Sequence, residues 1–275
     1  MNKLIHTHYS KPTVVFFLLP LALLLKIALV LYSLDCLSVH GYIFIQKDWF
    51  YFINHYVQQA PETLANLTQF GDALILLSFL TLFILYTPKL WEALLTSSLI
   101  SFIFAVLAKE IFAIPRPAKA FDYKTFNIIG EKLSGSTSFP SGHAITVFTV
   151  LTVLLFALSP QNKKYKIPYF IVMIVLGLLF AFTRVAVGAH YPLDVLVGCI
   201  VGYTSGVLGT YISQRYALWP WIYHKKYYPV FLGVFLICCI ILLFRIQSEN
   251  LFIYYCALLS LLFSLYKMTQ RYVQK

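Results

Sequence analysis

Long apolar runs separated by short polar connectors dominate this chain. A helix needs about 20 residues to cross a hydrocarbon core of about 30 Å. Eight runs approach that length: residues 13–33, 70–87, 91–113, 141–159, 167–187, 191–213, 229–246 and 250–267, with the second and eighth the shortest. Residues 42–58 read differently. Ile43, Phe44, Ile45, Trp49, Phe50, Phe52 and Ile53 alternate there with Lys47, Asp48, Asn54 and His55, which predicts an amphipathic helix lying in the membrane interface. The pattern therefore predicts an all-α, polytopic transmembrane helix bundle of about eight spans, forming a single integral membrane domain over residues 1–275. No small-residue cleavage site follows the first run, so it is expected as a retained span.

Composition narrows the class. The chain is 60% hydrophobic and only 11% charged, with mean hydropathy +0.79. Soluble domains carry about 25% charged residues, so a water-soluble globule is excluded, and 17% aromatic content excludes disorder. The net charge of +11 would suggest nucleic acid on a soluble protein; on a membrane protein it reflects basic cytoplasmic loops. The bilayer is the expected partner, and nucleic acid is not. The five cysteines have no zinc-type spacing and read as small apolar residues.

With the N-terminus placed inside, twelve Lys and Arg fall on the inner face: Lys3, Lys11, Lys89, Lys163, Lys164, Lys166, Arg215, Lys225, Lys226, Lys267, Arg271 and Lys275. Eight fall outside (Lys47, Lys109, Arg116, Lys119, Lys124, Lys132, Arg184 and Arg245), and Lys26 lies within the first span. Both termini are thus expected to be cytoplasmic. Trp219, Trp221, Tyr223, Tyr227 and Tyr228 read as an inner aromatic belt. Gly198, Gly202 and Gly206, four apart, give a groove for close helix packing.

Three polar clusters break the apolar pattern, and the topology puts all three on the outer face. They are Lys109 to Pro117, Phe139 to His143, and Thr183 to Asp194. Charged groups near a membrane are costly and functional by default. Lys109, Arg116 and Arg184 form a cationic trio without a matching acidic trio, and a phosphate supplies the missing anion. Ser141 and Gly142 sit where a helix would begin, with Pro140 placed to start it, and free backbone N–H groups there favour that anion. His190 and Asp194 are four apart and share a helix face. Asp194 can hold one ring nitrogen and leave the other free as a nucleophile, while His143 can protonate the leaving oxygen. These roles need His190 neutral and His143 protonated, which predicts a bell-shaped pH profile. Glu110 faces elsewhere, and Lys26 reads as snorkelling. The stretch 118–138 reads equally as a lid over a headgroup and as an interface-bound connector.

Lys109-x6-Arg116-Pro117, Pro140-Ser141-Gly142-His143 and Arg184-x5-His190-x3-Asp194 together resemble the tripartite signature of the type 2 phosphatidic acid phosphatase family, in its membrane lipid phosphatase branch. The resemblance covers roughly residues 42–213. It implies a six-helix phosphatase-like core there, with 229–267 as an added C-terminal hairpin. It implies a phosphohistidine on His190 oriented by Asp194, His143 as general acid, and phosphate contacts from Lys109, Arg116, Ser141, Gly142 and Arg184. It also implies that neither metal nor other cofactor is required. Thr183 stands where the family usually has Ser.

The leading functional expectation is a membrane-embedded lipid phosphatase of a bacterial inner (cytoplasmic) membrane, its site on the outer face. A lipid phosphate is then the substrate: a polyprenyl diphosphate or lipid A first, with phosphatidylglycerophosphate or phosphatidate as further candidates. A phosphotransferase passing the phosphoryl group to another lipid would use the same residues. A transporter would spread its charges through several spans, whereas here they cluster at one face. Hydropathy excludes the family's soluble haloperoxidase branch.

Overall fold

The computed structural model describes residues 12–274. Lys3, Lys11 and Lys275, assigned above to the inner face, lie outside the described residues. Among those described, the ordered elements are all helical. In chain order they are α1 (Val14–Ser33), α2 (Val39–Phe44), α3 (Lys47–Val57), α4 (Pro61–Thr68), α5 (Ala73–Ser78), α6 (Pro88–Phe112), α7 (Gly142–Ala157), α8 (Lys163–Ala186), α9 (Pro192–Arg215), α10 (Tyr228–Glu249) and α11 (Phe252–Val273), with several single turns between them. Six of these helices, α1, α6, α8, α9, α10 and α11, are long and apolar enough to cross a membrane. The chain is an integral membrane protein. Helix α7 has 16 residues and is enclosed by α6, α8 and α9.

The fit of α9 against α7 follows from the glycines. A Cβ on Gly202 would stand 2.4 Å from the Ile145 carbonyl oxygen, and one on Gly198 would stand 2.8 Å from that of Ser141. Only hydrogen at these positions lets the two backbones touch, and in a membrane such close packing replaces the hydrophobic drive that lipid cannot supply.

The run at 70–87 differs from the single span expected for it. It folds as a 3₁₀ turn at Gln69–Gly71, then α5, then a short turn of helix at Phe83–Tyr86. Broken backbone in a membrane must be covered by protein, because lipid offers no hydrogen-bond partner. The covering is specific. The carbonyl of Leu80 accepts from the Trp91 indole at 2.8 Å, that of Ser78 from the Ser260 hydroxyl at 3.0 Å, and that of Leu85 from Arg271 at 2.6 Å. Thr81 and Ser264 share a further bond at 2.8 Å. Ser260, Ser264 and Arg271 all belong to α11, so the C-terminal hairpin satisfies the polar groups that the break exposes.

The amphipathic segment becomes α2 and α3. Phe44, Trp49, Phe52 and Tyr56 are exposed on one side, while Tyr42, Gln46, Phe50 and Asn54 are buried on the other. Asn54 donates to the carbonyls of Asn127 and Ala186 and accepts from Asn127 N–H. Gln46 accepts from the Leu193 N–H at 2.7 Å. The segment therefore clamps the third polar cluster, at Ala186 and Leu193, and ties it to the 118–138 stretch at Asn127, a role beyond lying at an interface.

Candidate active site

Four helix ends meet at the polar clusters. The C-terminal turns of α6 and α8 bring Lys109 and Arg184, and the N-terminal turns of α7 and α9 bring Ser141 to His143 and Asp194. The connection between α8 and α9 must turn sharply to place His190. Gly188 adopts a left-handed φ of 78° there, and a Cβ on it would lie 2.6 Å from the Asn127 carbonyl oxygen. Arg184 O then accepts both Ala189 N–H and His190 N–H, which fixes the turn.

Asp194 is completely buried, and its charge is compensated by hydrogen bonds. Its Oδ1 accepts from the Tyr42 hydroxyl at 2.7 Å, and its Oδ2 from the Ser138 hydroxyl at 2.6 Å and the Tyr191 N–H at 3.0 Å. The same Oδ2 stands 3.5 Å from Nδ1 of His190, longer than an ordinary hydrogen bond. Burial, with help from the neighbouring carboxylate, pushes the Tyr42 phenol well above its usual range, so it stays a donor. Tyr42 and Ser138 were not among the residues the sequence singled out; neither has a local motif.

His190 is also buried. Its Nε2 lies 3.3 Å from Nη1 of Arg116. A guanidinium only donates, so Nε2 is the acceptor and the ring proton is assigned to Nδ1, facing Asp194. Burial lowers the His190 pKa from 6.5 to about 4, and Arg116 adds to the fall while Asp194 opposes it. The imidazole is therefore neutral at pH 7. The sign for stability follows from linkage: a histidine whose folded pKa is depressed stabilises the fold above its unfolded pKa and loses that contribution as pH falls. Melting temperature in detergent is expected to be flat above about pH 6.5 and to drop between there and about pH 4. His190→Gln, with no titrating ring, should flatten part of that drop.

The cations surround the two histidines. Burial first, and then the neighbouring Arg184, His190, Arg116 and Lys109, hold the His143 pKa well below the usual histidine range. The Lys109 ammonium would be 3.6 Å from a Cβ on Gly142. Arg184 is buried; its Nη1 donates to the Thr68 hydroxyl at 2.9 Å, and its Nε has no hydrogen-bond partner among the described residues. Among the described residues the ion pairs are His190–Asp194 and Arg245–Asp72, so none of Lys109, Arg116 and Arg184 is paired with a carboxylate. Also among them, no three His, Cys, Asp or Glu side chains converge as a metal-ligand set. Ser141 caps α7, and its N–H is taken by the Asp194 carbonyl. The Ser141 hydroxyl takes the Ala144 N–H, which leaves those of Gly142 and His143 in the first turn for an anion. Thr183 turns its hydroxyl to the Phe180 carbonyl of its own helix. Glu110 is exposed, away from this cluster.

The stretch 118–138 is fastened at several points. Arg116 N–H donates to Gly135 O, Ser138 N–H to Ile114 O and Ile129 N–H to Val187 O. Phe126 is buried against Phe50.

Comparison with known proteins gives the arrangement its family. The PAP2 superfamily model matches residues 89–218. The chain carries a PAP2 superfamily domain. Its curated relatives include a lipid A 1-phosphatase of Rhizobium etli, 34% identical over 139 residues that make up 49% of this chain and 55% of the relative. An undecaprenyl-diphosphatase of Sulfolobus acidocaldarius is 28% identical over 54% of this chain and 68% of the relative. A phosphatidylglycerophosphatase B of Haemophilus influenzae is 40% identical over 28% of this chain and 34% of the relative. The match thus spans about half the length of the lipid A 1-phosphatase. The crystal structure of Aquifex aeolicus LpxE shares the fold, with TM-score 0.50 and 24% identity over 62% of this chain and 96% of that one. Lys109, Arg116, Ser141, Gly142, His143, Arg184, His190 and Asp194 all lie within the PAP2 domain. Tyr42, Asn54 and Thr68, which brace it, lie before it.

Proposed function

We propose that this protein is a membrane-embedded lipid phosphatase that works through a phosphohistidine on His190 without a metal ion. The observation that carries the reading is the cationic trio: Lys109, Arg116 and Arg184 face two histidines, and among the described residues none has a carboxylate partner. A bound phosphate supplies the missing charge, and Arg116 is placed to exchange its contact with Nε2 for phosphate oxygens. Nε2 of His190 then attacks phosphorus. Burial and the surrounding cations hold His143 well below the usual histidine range, so in this reading the negative charge of the bound phosphate restores its proton. The bond from phosphorus to the lipid oxygen breaks, and His143 gives that oxygen the proton. Water next attacks the phosphohistidine, His143 takes its proton, and inorganic phosphate leaves. Asp194 offsets the positive charge that develops on the His190 ring.

The names of the relatives support a lipid phosphate as substrate, with lipid A or a polyprenyl diphosphate first. An apolar cavity of about 230 Å³ bordered by Phe112, Ile114 and Phe139 offers room for a lipid tail beside the site. The excess of inner-face Lys and Arg supports an outward-facing site with both termini in the cytoplasm.

The test is phosphate release by the detergent-purified protein from a panel of lipid A, undecaprenyl diphosphate, phosphatidylglycerophosphate and phosphatidate, with chelator present. Release from at least one is expected, with inhibition by vanadate, which imitates five-coordinate phosphorus. Absence of release from all four would sink the phosphatase reading. A requirement for added divalent metal would sink the metal-free mechanism. Transfer of the phosphoryl group to a second lipid in place of water would make it a phosphotransferase.

A further inference from the structure

The segment joining α4 to α5 precedes the PAP2 domain, yet it touches two residues of the candidate site. Thr68 is buried, and its hydroxyl accepts the Nη1 of Arg184 at 2.9 Å. Gly71 lies under the His143 ring: a Cβ there would be 2.5 Å from His143 Cβ and 2.8 Å from its Cδ2. The segment is itself tied down. Phe70 stacks on Phe180 of α8 with ring centroids 4.6 Å apart. Asp72 caps α5 through Oδ1, accepting from Leu74 and Ile75 N–H, and its Oδ2 accepts from Arg245 at 3.0 Å. Asn66 accepts from Ile253 N–H at 2.9 Å. Arg245 and Ile253 both belong to the C-terminal hairpin.

We propose that residues 66–72 are a positioning strap for the phosphate site, in which Thr68 sets Arg184, Gly71 seats His143, and the C-terminal hairpin holds the strap through Arg245 and Ile253. The inference rests on reading this site as one that binds phosphate. Its physical basis is the length of the arginine side chain. A free guanidinium at the end of α8 samples many rotamers, and ordering it on substrate arrival weakens binding. The hydroxyl of Thr68 does that ordering in advance and leaves Nε of Arg184, which has no hydrogen-bond partner among the described residues, for an anion. The hairpin thereby gains a role in the site as well as in covering the broken segment.

The two contacts make separable predictions. Thr68→Val keeps the shape and removes the acceptor, so KM and the vanadate concentration for half-inhibition should each rise about tenfold, as for loss of a hydrogen bond to a charged group, with kcat nearly unchanged. Thr68→Ser, which keeps the hydroxyl, should restore both. Gly71→Ala displaces the His143 ring, and misplacing a reacting group by about 1 Å costs about 100-fold in kcat. Arg245→Met, remote from the reacting groups, should raise KM in the same direction as Thr68→Val but by less. Melting temperature is measured for every variant. If Thr68→Val leaves KM and vanadate inhibition unchanged, or if its losses only follow a lower melting temperature and Thr68→Ser fails to rescue them, the strap is overturned. Should the wild type release no phosphate from any lipid, the functional reading falls on its own. Vanadate binding, followed by thermal shift, then decides the strap: a rise of about tenfold in the concentration that stabilises Thr68→Val supports it, and no rise overturns it.

Discussion

His190→Ala is expected to lower phosphate release by about 10⁴-fold or more, the scale on which removal of a covalent nucleophile acts. The structure gives the reason. His190 presents Nε2 toward Arg116, and Nδ1 is turned toward Asp194. Burial keeps the ring neutral down to about pH 4, so the lone pair that would attack phosphorus in the proposed mechanism is available across the physiological range. His143, the other imidazole of the site, lies on the neighbouring helix end, and the Asp194 carboxylate is taken by Tyr42, Ser138, Tyr191 N–H and His190. The decisive measurement is an acid-labile, alkali-stable phosphoryl group on the wild-type protein after rapid mixing with labelled lipid phosphate. Wild-type protein that never carries the label, or His190→Ala that still does, would refute the intermediate. The same protonation argument moves the acid limb of the pH profile of kcat/KM to near pH 4, below the range in which a free histidine titrates.

Asp194→Asn is expected to cost about 10³- to 10⁴-fold in kcat, the range seen when a carboxylate that orients a catalytic histidine loses its charge. It should cost stability as well. The carboxylate takes three donors, from Tyr42, Ser138 and Tyr191 N–H. An amide can satisfy them only by turning its NH₂ toward Tyr42, whose hydroxyl can accept as well as donate, and keeping its oxygen toward Ser138 and Tyr191. The fold then survives, with a loss of about 1–3 kcal/mol for weakened buried hydrogen bonds. The His190 ring, however, faces a neutral oxygen as positive charge develops on it. Kinetics and melting temperature on one preparation separate the two effects. A rate loss no greater than that of Ser138→Ala, which leaves the carboxylate charged, would show that Asp194 acts by packing alone.

The three polar clusters were legible because their spacing is local. Pro140 before Ser141 suits the start of α7. The spacing of four from His190 to Asp194 suggests one helix face, but α9 begins only at Pro192, so His190 lies in the turn before it and the turn at Gly188 brings its ring toward the carboxylate. The break in the run at 70–87 was not legible. Its hydropathy suits a span, and only partners from α11, more than 180 residues later, make the break tolerable. The amphipathic segment was legible as amphipathic, because period and polarity show that much. That its polar face clamps two loops depends on Asn54 meeting Asn127 and Ala186.

The sequence by itself determined a helical membrane protein with three polar clusters, since hydropathy and helix periodicity act within a few turns of chain. The tertiary structure alone decided how that chemistry is held. Asp194 takes its donors from Tyr42, 152 residues away, and Ser138, 56 residues away, and Arg184 takes its acceptor from Thr68, 116 residues away. A single hydroxyl carries no pattern in a sequence. It becomes part of a site only when packing removes water and leaves a buried charge that must be satisfied by whatever the fold has brought beside it.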